Sequence, residues 1–426
     1  MSTTTNHQQT QGGRPSPGPA GPPPAARYGL RAGWLMMASG WSANQYSALL
    51  GAYRSNLGLS ESAVTGLFAI YVVGLVPGLL VGGPLADRLG RRPVALTALT
   101  VNLLSSVLLM AGSGVHALLL PGRFLTGVGA GALLAAGSAW VKELSSAPFS
   151  PDTPPGAAAK RAGLFVSAGF ASGGLIASMI AQWAPRPMVT AYLPHVVLAV
   201  VAGLAALRVP ESRGARPAAH PTGASPSPAA GPVTGAPPAA HRRRFLRAVA
   251  VLAPWVFAAP AVGFATLPGL VDDGLTGWQT VYAGITTAVV PGAGLLVQPL
   301  ARRLAARNRL ATAVTGLLVT TVGLVVAAPA AALEQPALAL LSGALLGAGY
   351  GLALTYALTE VAAMAPPERL ARLTAYFWTV AYLGMFAPYV LSLLSGTFAM
   401  PTLMLAGAVL SAATCLAMVA LNRRAA

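Results

Sequence analysis

One of the ten acidic residues in this 426-residue chain sits inside a knot of arginines, in the stretch GGPLADRLGRRP at residues 82–93. Asp87 lies among Arg88, Arg91 and Arg92, with Gly83 and Gly90 on either side. These residue types at this spacing suit reversible ion pairing rather than covalent chemistry. Gly90 can supply the turn, and the arginines can hold the loop on one side of a membrane. An acid at the end of an apolar run needs a partner, either a neighbouring arginine or the free N–H groups of a helix start.

Arg123 is the second residue of interest, because it falls within an apolar stretch. An arginine at the centre of a bilayer costs about 2.5–3.5 kcal/mol on insertion scales. Placed in the outer third of its span, it either snorkels to the outer surface or faces a water-filled cavity. In the cavity it would bind an anionic group or tune a proton site. Trp41, Asn44 and Gln45 follow the i, i+3, i+4 spacing that puts them on one helix face. That face suits either a cavity wall or helix–helix hydrogen bonding. Trp255, Tyr350, Tyr356, Tyr376, Trp378 and Tyr382 would suit an amphipathic organic solute, or ordinary core packing. Asp272 and Asp273 fall in an outer loop. His195, Asp87 and Glu360 are the candidates for a titrating group in a proton pathway. The lack of a mid-membrane carboxylate argues against a strongly cationic substrate.

The elements that must position these residues are apolar helices. The chain is 55% hydrophobic and 9% charged, against about 25% charged for a soluble domain. Runs of about twenty apolar residues predict spans at 32–53, 64–86, 93–112, 116–138, 162–183, 189–208, 248–270, 279–300, 308–330, 336–359, 373–396 and 399–421. With the N-terminus inside, every one of the 27 Lys and Arg residues except Arg54, Arg186 and Arg123 lies on an inner segment. The net charge of +17 is thus a topology signal: both chain ends are cytoplasmic. Scattered over inner loops, the arginines form no aromatic-laced patch, which argues against nucleic acid. Trp34, Trp140, Trp183 and Trp278 fall near span ends, where an interfacial belt is expected.

Residues 1–27 read as a disordered tail and 209–247 as a flexible cytoplasmic linker, both rich in Pro, Gly and Ala. Between and after them lie two six-helix units, 28–208 and 248–426. GLLVGGPLADRLGRR (78–92) echoes GLLVQPLARRLAAR (294–307), and GVGAG (127–131) echoes GAGYG (347–351). Their common order predicts duplication. The expected fold is an all-α membrane protein with twelve transmembrane helices in two pseudo-symmetric six-helix bundles. The single cysteine, Cys415, excludes an intramolecular disulfide.

On two motifs the chain resembles the major facilitator superfamily. Residues 83–92 match the family's G-x-L-x-D-R-x-G-R-R loop at each defining position, and Arg123 to Ala130 resemble R-x-x-Q-G-x-G-A, with Thr126 in place of glutamine. The antiporter pattern G-P-x-x-G-G has its glycines as Gly169, Gly173 and Gly174, but Phe170 stands where proline is usual. The resemblance implies alternating access by rocking of the two halves. It also implies a cytoplasmic latch from Asp87 to the inner end of the eleventh span, at Pro367, Glu368 and Arg369. Gly127, Gly129, Gly131, Gly169, Gly173 and Gly174 are expected to pack helices.

The function expected is secondary active transport of a small organic solute in the plasma membrane. Proton-linked efflux of a drug-like compound or metabolite leads. An uptake symporter or facilitator is the alternative, and a polytopic membrane enzyme a remote one. No cofactor or metal is expected, protons are the candidate coupling ion, the lipid bilayer is the surrounding partner, and a monomer is expected. No phosphate-binding GxxxxGK[ST] loop is present to draw on ATP.

Overall fold

The computed structural model describes residues 26–146, 148–150, 157–213, 243–364 and 370–423. Among the described residues, eleven helices are each long and apolar enough to cross a membrane. The first crosses in pieces: Ala26–Gln45, a short 3-10 turn at Ser47–Leu49, and Leu50–Leu57 together make α1. It starts earlier than the apolar pattern marks, since the helix runs back through Arg31 to Ala26. The others are α2 (Glu61–Leu89), α3 (Arg91–Ala111), α4 (His116–Leu144), α5 (Arg161–Trp183), α6 (Pro187–Ala206), α7 (Arg243–Thr266), α8 (Gln279–Arg307), α9 (Arg309–Ala332), α10 (Pro336–Met364), α11 (Leu373–Leu394) and α12 (Met400–Asn422). The twelve-span expectation holds.

Long apolar helices keep their backbone groups satisfied internally, as lipid demands. The irregularities have local causes. A π-helical turn at Leu246–Ala250 precedes Pro254, which has no N–H to return to residue 250. A 3-10 stretch at Leu383–Phe386 precedes Pro388 in α11. Ser60 caps α2 by accepting from the Ala63 N–H at 3.1 Å.

Packing repeats between the halves. α4 lies against α2 and α3 in the first half, and α10 against α8 and α9 in the second. Glycines permit the approach at equivalent places: a Cβ on Gly127 or Gly131 would strike α2 at Tyr71 or Leu75. One on Gly347 or Gly351 would strike α8 at Val290 or Gly294. Gly129 faces Asn102 of α3, while Gly169 and Gly173 face Met37 and Trp41 of α1. Gly174 faces Thr287 of α8, across the junction of the halves. That junction includes two matching seams, α5 with α8 and α2 with α11, and α1 packs on α8 between them.

The boundaries of the connector differ from the expected 209–247. Val209 and Ser212 are buried on the first half, and residues 243–247 already belong to α7. Residues 1–25 of the expected tail and 214–242 of the linker lie outside the described residues.

Candidate functional site

The inner loop between α2 and α3 is held by acids from three places. Arg91 bonds Asp87 at 2.6 Å and Glu143, at the end of α4, at 3.2 Å. Glu211, just after α6, accepts from the backbone N–H groups of Arg91 (3.0 Å), Arg92 (2.9 Å) and Arg213 (2.9 Å). Its carboxylate thus caps α3 and seats the chain that follows α6. Ser212 donates to Glu143, Arg92 to the Leu207 carbonyl, and Arg213 to the Arg88 carbonyl. Burial raises the Glu211 carboxyl, but the backbone N–H groups of Arg213, Arg92 and Arg91 outweigh it and hold it below the usual carboxylate range.

Gly90 has φ +109°, and a Cβ there would lie 2.6 Å from a Glu211 oxygen, so this position needs glycine on both counts. Gly83 has room for a Cβ, with Ala135 4.0 Å away; the close approach belongs to Gly82 instead, against Ala132. Sequence reasoning missed Glu143 and Glu211. The signal was there: two of only ten acids, each at an inner span end, Glu143 beside Lys142 and Glu211 between Arg208 and Arg213. Asp87 itself stays 65% exposed. Its expected partners, Pro367, Glu368 and Arg369, lie outside the described residues.

Arg123 does not snorkel. It is fully buried within the first half, with its guanidinium 4.2 Å from the ring centre of Tyr46 and 5.1 Å from that of Tyr71. Nε donates to the Leu67 carbonyl at 3.1 Å, while both Nη groups lack hydrogen-bond partners among the described residues. A desolvated cation–π contact contributes about 2 kcal/mol or more, which offsets part of the burial cost. Tyr53 and Tyr192, joined hydroxyl to hydroxyl at 2.8 Å, belong to the same cluster. Four tyrosines of three spans were not legible as a cage, because nothing in their spacing links them.

Trp41, Asn44 and Gln45 share a helix face but not an environment. Asn44 donates to the backbone of Phe170 (2.8 Å) and, across the halves, of Thr287 (3.4 Å). Gln45 donates to Ser106 (3.4 Å), whose hydroxyl meets His195 Nδ1 at 2.8 Å. Trp41 packs on Gly173. His195 is fully buried in this chain of contacts between α1, α3 and α6. Asn44 and Gln45 thus hydrogen-bond between helices, while the buried Trp41 indole N–H has no partner among the described residues.

The aromatic group divides. Tyr350, Trp378 and Tyr382 gather around Phe257, which stacks on Tyr382 at 4.5 Å and 8°. Phe257 is a member that sequence reasoning missed. Trp255 instead donates to Thr414 of α12 at 3.1 Å, and Tyr356 lies near the inner end of α10, in a crevice with Glu360. Tyr376 is 42% exposed. Trp140, expected at the interface, is fully buried and donates to the Pro210 carbonyl at 3.2 Å.

Contacts between the halves occur at the outer and middle levels among the described residues. Thr65 and Ser392 meet at 2.8 Å, the Thr280 N–H donates to Gln182 at 3.2 Å, and Trp183 meets Trp278 edge-on at 5.6 Å. Above them is an outer cavity of about 550 Å³ with Arg54, Glu61 and Asp272 on its walls. Burial raises the Asp272 carboxyl, Arg54 lowers it, Asp273 and Glu61 raise it again, and the net shift is upward. At the inner ends, the ion pairs Arg91 to Glu143 and Arg244 to Glu360 each stay within one half.

The family model described as Major Facilitator Superfamily matches residues 32–389. Multidrug resistance protein MdtL of Salmonella paratyphi C (strain RKS4594) is 40% identical over 76 residues, 18% of this chain and 19% of that protein. The MdtL protein of Salmonella newport (strain SL254) is 39% identical over 77 residues, with the same shares. The chain thus matches about a fifth of the length of these curated relatives. Among solved structures, a D-xylose-proton symporter superposes with TM-score 0.69 at 16% identity, over 93% of this chain and 97% of that one. A POT family transporter in complex with 5-aminolevulinic acid gives 0.71 at 11% identity, over 92% and 95%. At these identities the likeness is one of fold.

Proposed function

The chain belongs to the major facilitator superfamily, a family of transporters built into membranes, and from that premise we propose that it exports a small amphipathic organic solute by proton-linked alternating access. One observation carries the reading: the halves are joined at the outer and middle levels by Thr65 to Ser392, Gln182 to Thr280 and Asn44 to Thr287, while the inner-end ion pairs close on their own halves. That is an arrangement sealed to the outside. Rocking the halves about the middle would break these neutral bonds and bring the inner loops together, with Asp87 reaching the start of α11.

The solute meets the aromatic group of Phe257, Tyr350, Trp378 and Tyr382, whose faces suit a flat or partly apolar molecule. Trp41, Asn44, Gln45, Trp255, Tyr356 and Tyr376 are further candidates along the pathway, each exposed or packed according to the state. Arg123 and His195 act on the proton side. The partial match to multidrug resistance proteins supports efflux of drug-like molecules. Uptake is the second reading, favoured by Phe170 in place of the antiporter proline. Proteoliposome counterflow with a panel of amphipathic solutes, with and without a pH gradient, tests both. Exchange of solute against protons supports efflux. Movement of both in one direction supports uptake, and no movement under any gradient sinks the proposal.

A further inference from the structure

The duplicated halves treat the inner end of their third helix differently. In the first half, the chain supplies its own anion: Glu211 covers the first N–H groups of α3 beside the Arg91–Glu143 pair. In the second half, the corresponding pair is Arg309 at the start of α9 with Glu360 near the end of α10, at 3.6 Å, joined by Arg244 of α7 at 3.2 Å. No second carboxylate enters among the described residues. What lies there instead is a crevice of about 830 Å³ between α7, α9, α10 and α12.

Among the described residues two arginines face one carboxylate, which leaves one positive charge uncompensated there. Arg244 and Arg309 are each about half exposed, while Glu360 is 8% exposed beneath them. The polar rim of the crevice carries Asn308 and Asn422, and its wall carries Ala311, Val314 and Val419. The two outer helices continue this apolar wall along the membrane, with Leu318, Val322 and Val325 exposed on α9 and Val409, Leu410 and Leu416 on α12.

We propose that this crevice is a binding site for an anionic phospholipid of the cytoplasmic leaflet, its phosphate between Arg244 and Arg309 where the first half places Glu211. Guanidinium groups match phosphate oxygens in pairs, and basic pockets between spans on this side hold anionic head groups. A free phosphate would meet the arginines and leave Val314 and Val419 bare, whereas a phospholipid covers both. Occupancy would brace α7 against α9 and α12, as Glu211 and its neighbours brace the inner ends of the first half.

The test uses the full chain in a neutral detergent, with bound lipid counted by native mass spectrometry. Phosphatidylglycerol, phosphatidylcholine and inorganic phosphate are titrated separately and in competition. The full chain should hold phosphatidylglycerol more tightly than phosphatidylcholine. Arg309→Gln, which keeps the Arg244–Glu360 pair, should weaken phosphatidylglycerol about fivefold and leave phosphatidylcholine unchanged. Ala311→Trp, which fills the crevice with the arginines in place, should lose the preference as well. Equal affinity for the two lipids, or a preference that survives both variants, overturns the proposal. Displacement of phosphatidylglycerol by inorganic phosphate at matched concentration overturns it too, since the site would then serve a soluble anion.

Discussion

The two faces of this transporter are built from different chemistry. Across the outer face, the halves meet through neutral groups: Thr65 with Ser392, Gln182 with Thr280, and the ring contacts of Trp183 with Trp278 and Phe68 with Phe264. On the inner face, guanidinium and carboxylate groups knit each half to itself, as in Asp87–Arg91–Glu143 and Arg244–Glu360–Arg309. A neutral hydrogen bond contributes about 0.5–1.5 kcal/mol net, and one to a charged group about 1.5–3. The outer joins are therefore individually weak and can part together. The inner networks stiffen each half as a body while leaving Asp87 largely exposed, free to change partner.

Exchanging Asp87 for Asn attacks this contrast most directly. It removes the exposed charge and leaves the Arg91–Glu143 bond intact. Membrane insertion and melting temperature should stay near normal while transport falls about tenfold or more, the equivalent of one charge-assisted contact. Transport close to that of the parent protein would remove the inner charges from the gating cycle.

Arg123→Met asks whether the buried cation serves stability or movement. An apolar side chain of similar length avoids the insertion cost of about 2.5–3.5 kcal/mol. The variant should melt at or above the parent temperature yet lose proton-linked transport. A clear drop in melting temperature would make the tyrosine cage a structural device.

Gly90→Ala tests the cap on α3. Both its φ of +109° and the Glu211 oxygen oppose a side chain there, so thermal unfolding should report a loss of about 1–3 kcal/mol. An unchanged melt would count against the seated segment.

The smallest effect concerns pH at the outer face. Asp272 has a raised carboxyl pKa in the closed form, so the closed face binds more protons than an open one in which that group is hydrated. Acidifying the outer solution through that range should favour closure, and raising the pH should disfavour it. Cross-linking of Gln182→Cys with Thr280→Cys, in a Cys415→Ala background, should quicken as outer pH falls. Adding Asp272→Asn should flatten that dependence. A pH dependence that survives this substitution would place the sensor elsewhere.

The spans, the orientation and the duplication were legible because they rest on composition and on where arginines fall, and neither depends on how a helix is rotated. The inner loop was legible as a motif, down to the turn at Gly90. What lies between helices was not. Asn44 and Gln45 are adjacent, yet one reaches α5 and α8 and the other α3. Whether Arg123 pointed to lipid, to a cavity or to tyrosines depended on the rotation of α4 against α1 and α2, which small residues allow at more than one setting. Trp140 read as interfacial from its place near a span end, but the segment at 209–213 folds back over it. A proline- and glycine-rich sequence gives no warning that its first residues are seated.

Arg213 is the last described residue before the stretch that connects the halves, and its backbone and guanidinium are fastened to Glu211 and to the Arg88 carbonyl. Any tug through that stretch therefore reaches the junction of α2 and α3 before it reaches α6. The α2–α3 loop is thus the anchor at which the described part of the first half ends, and α6 is joined to it through Glu211 and Arg213.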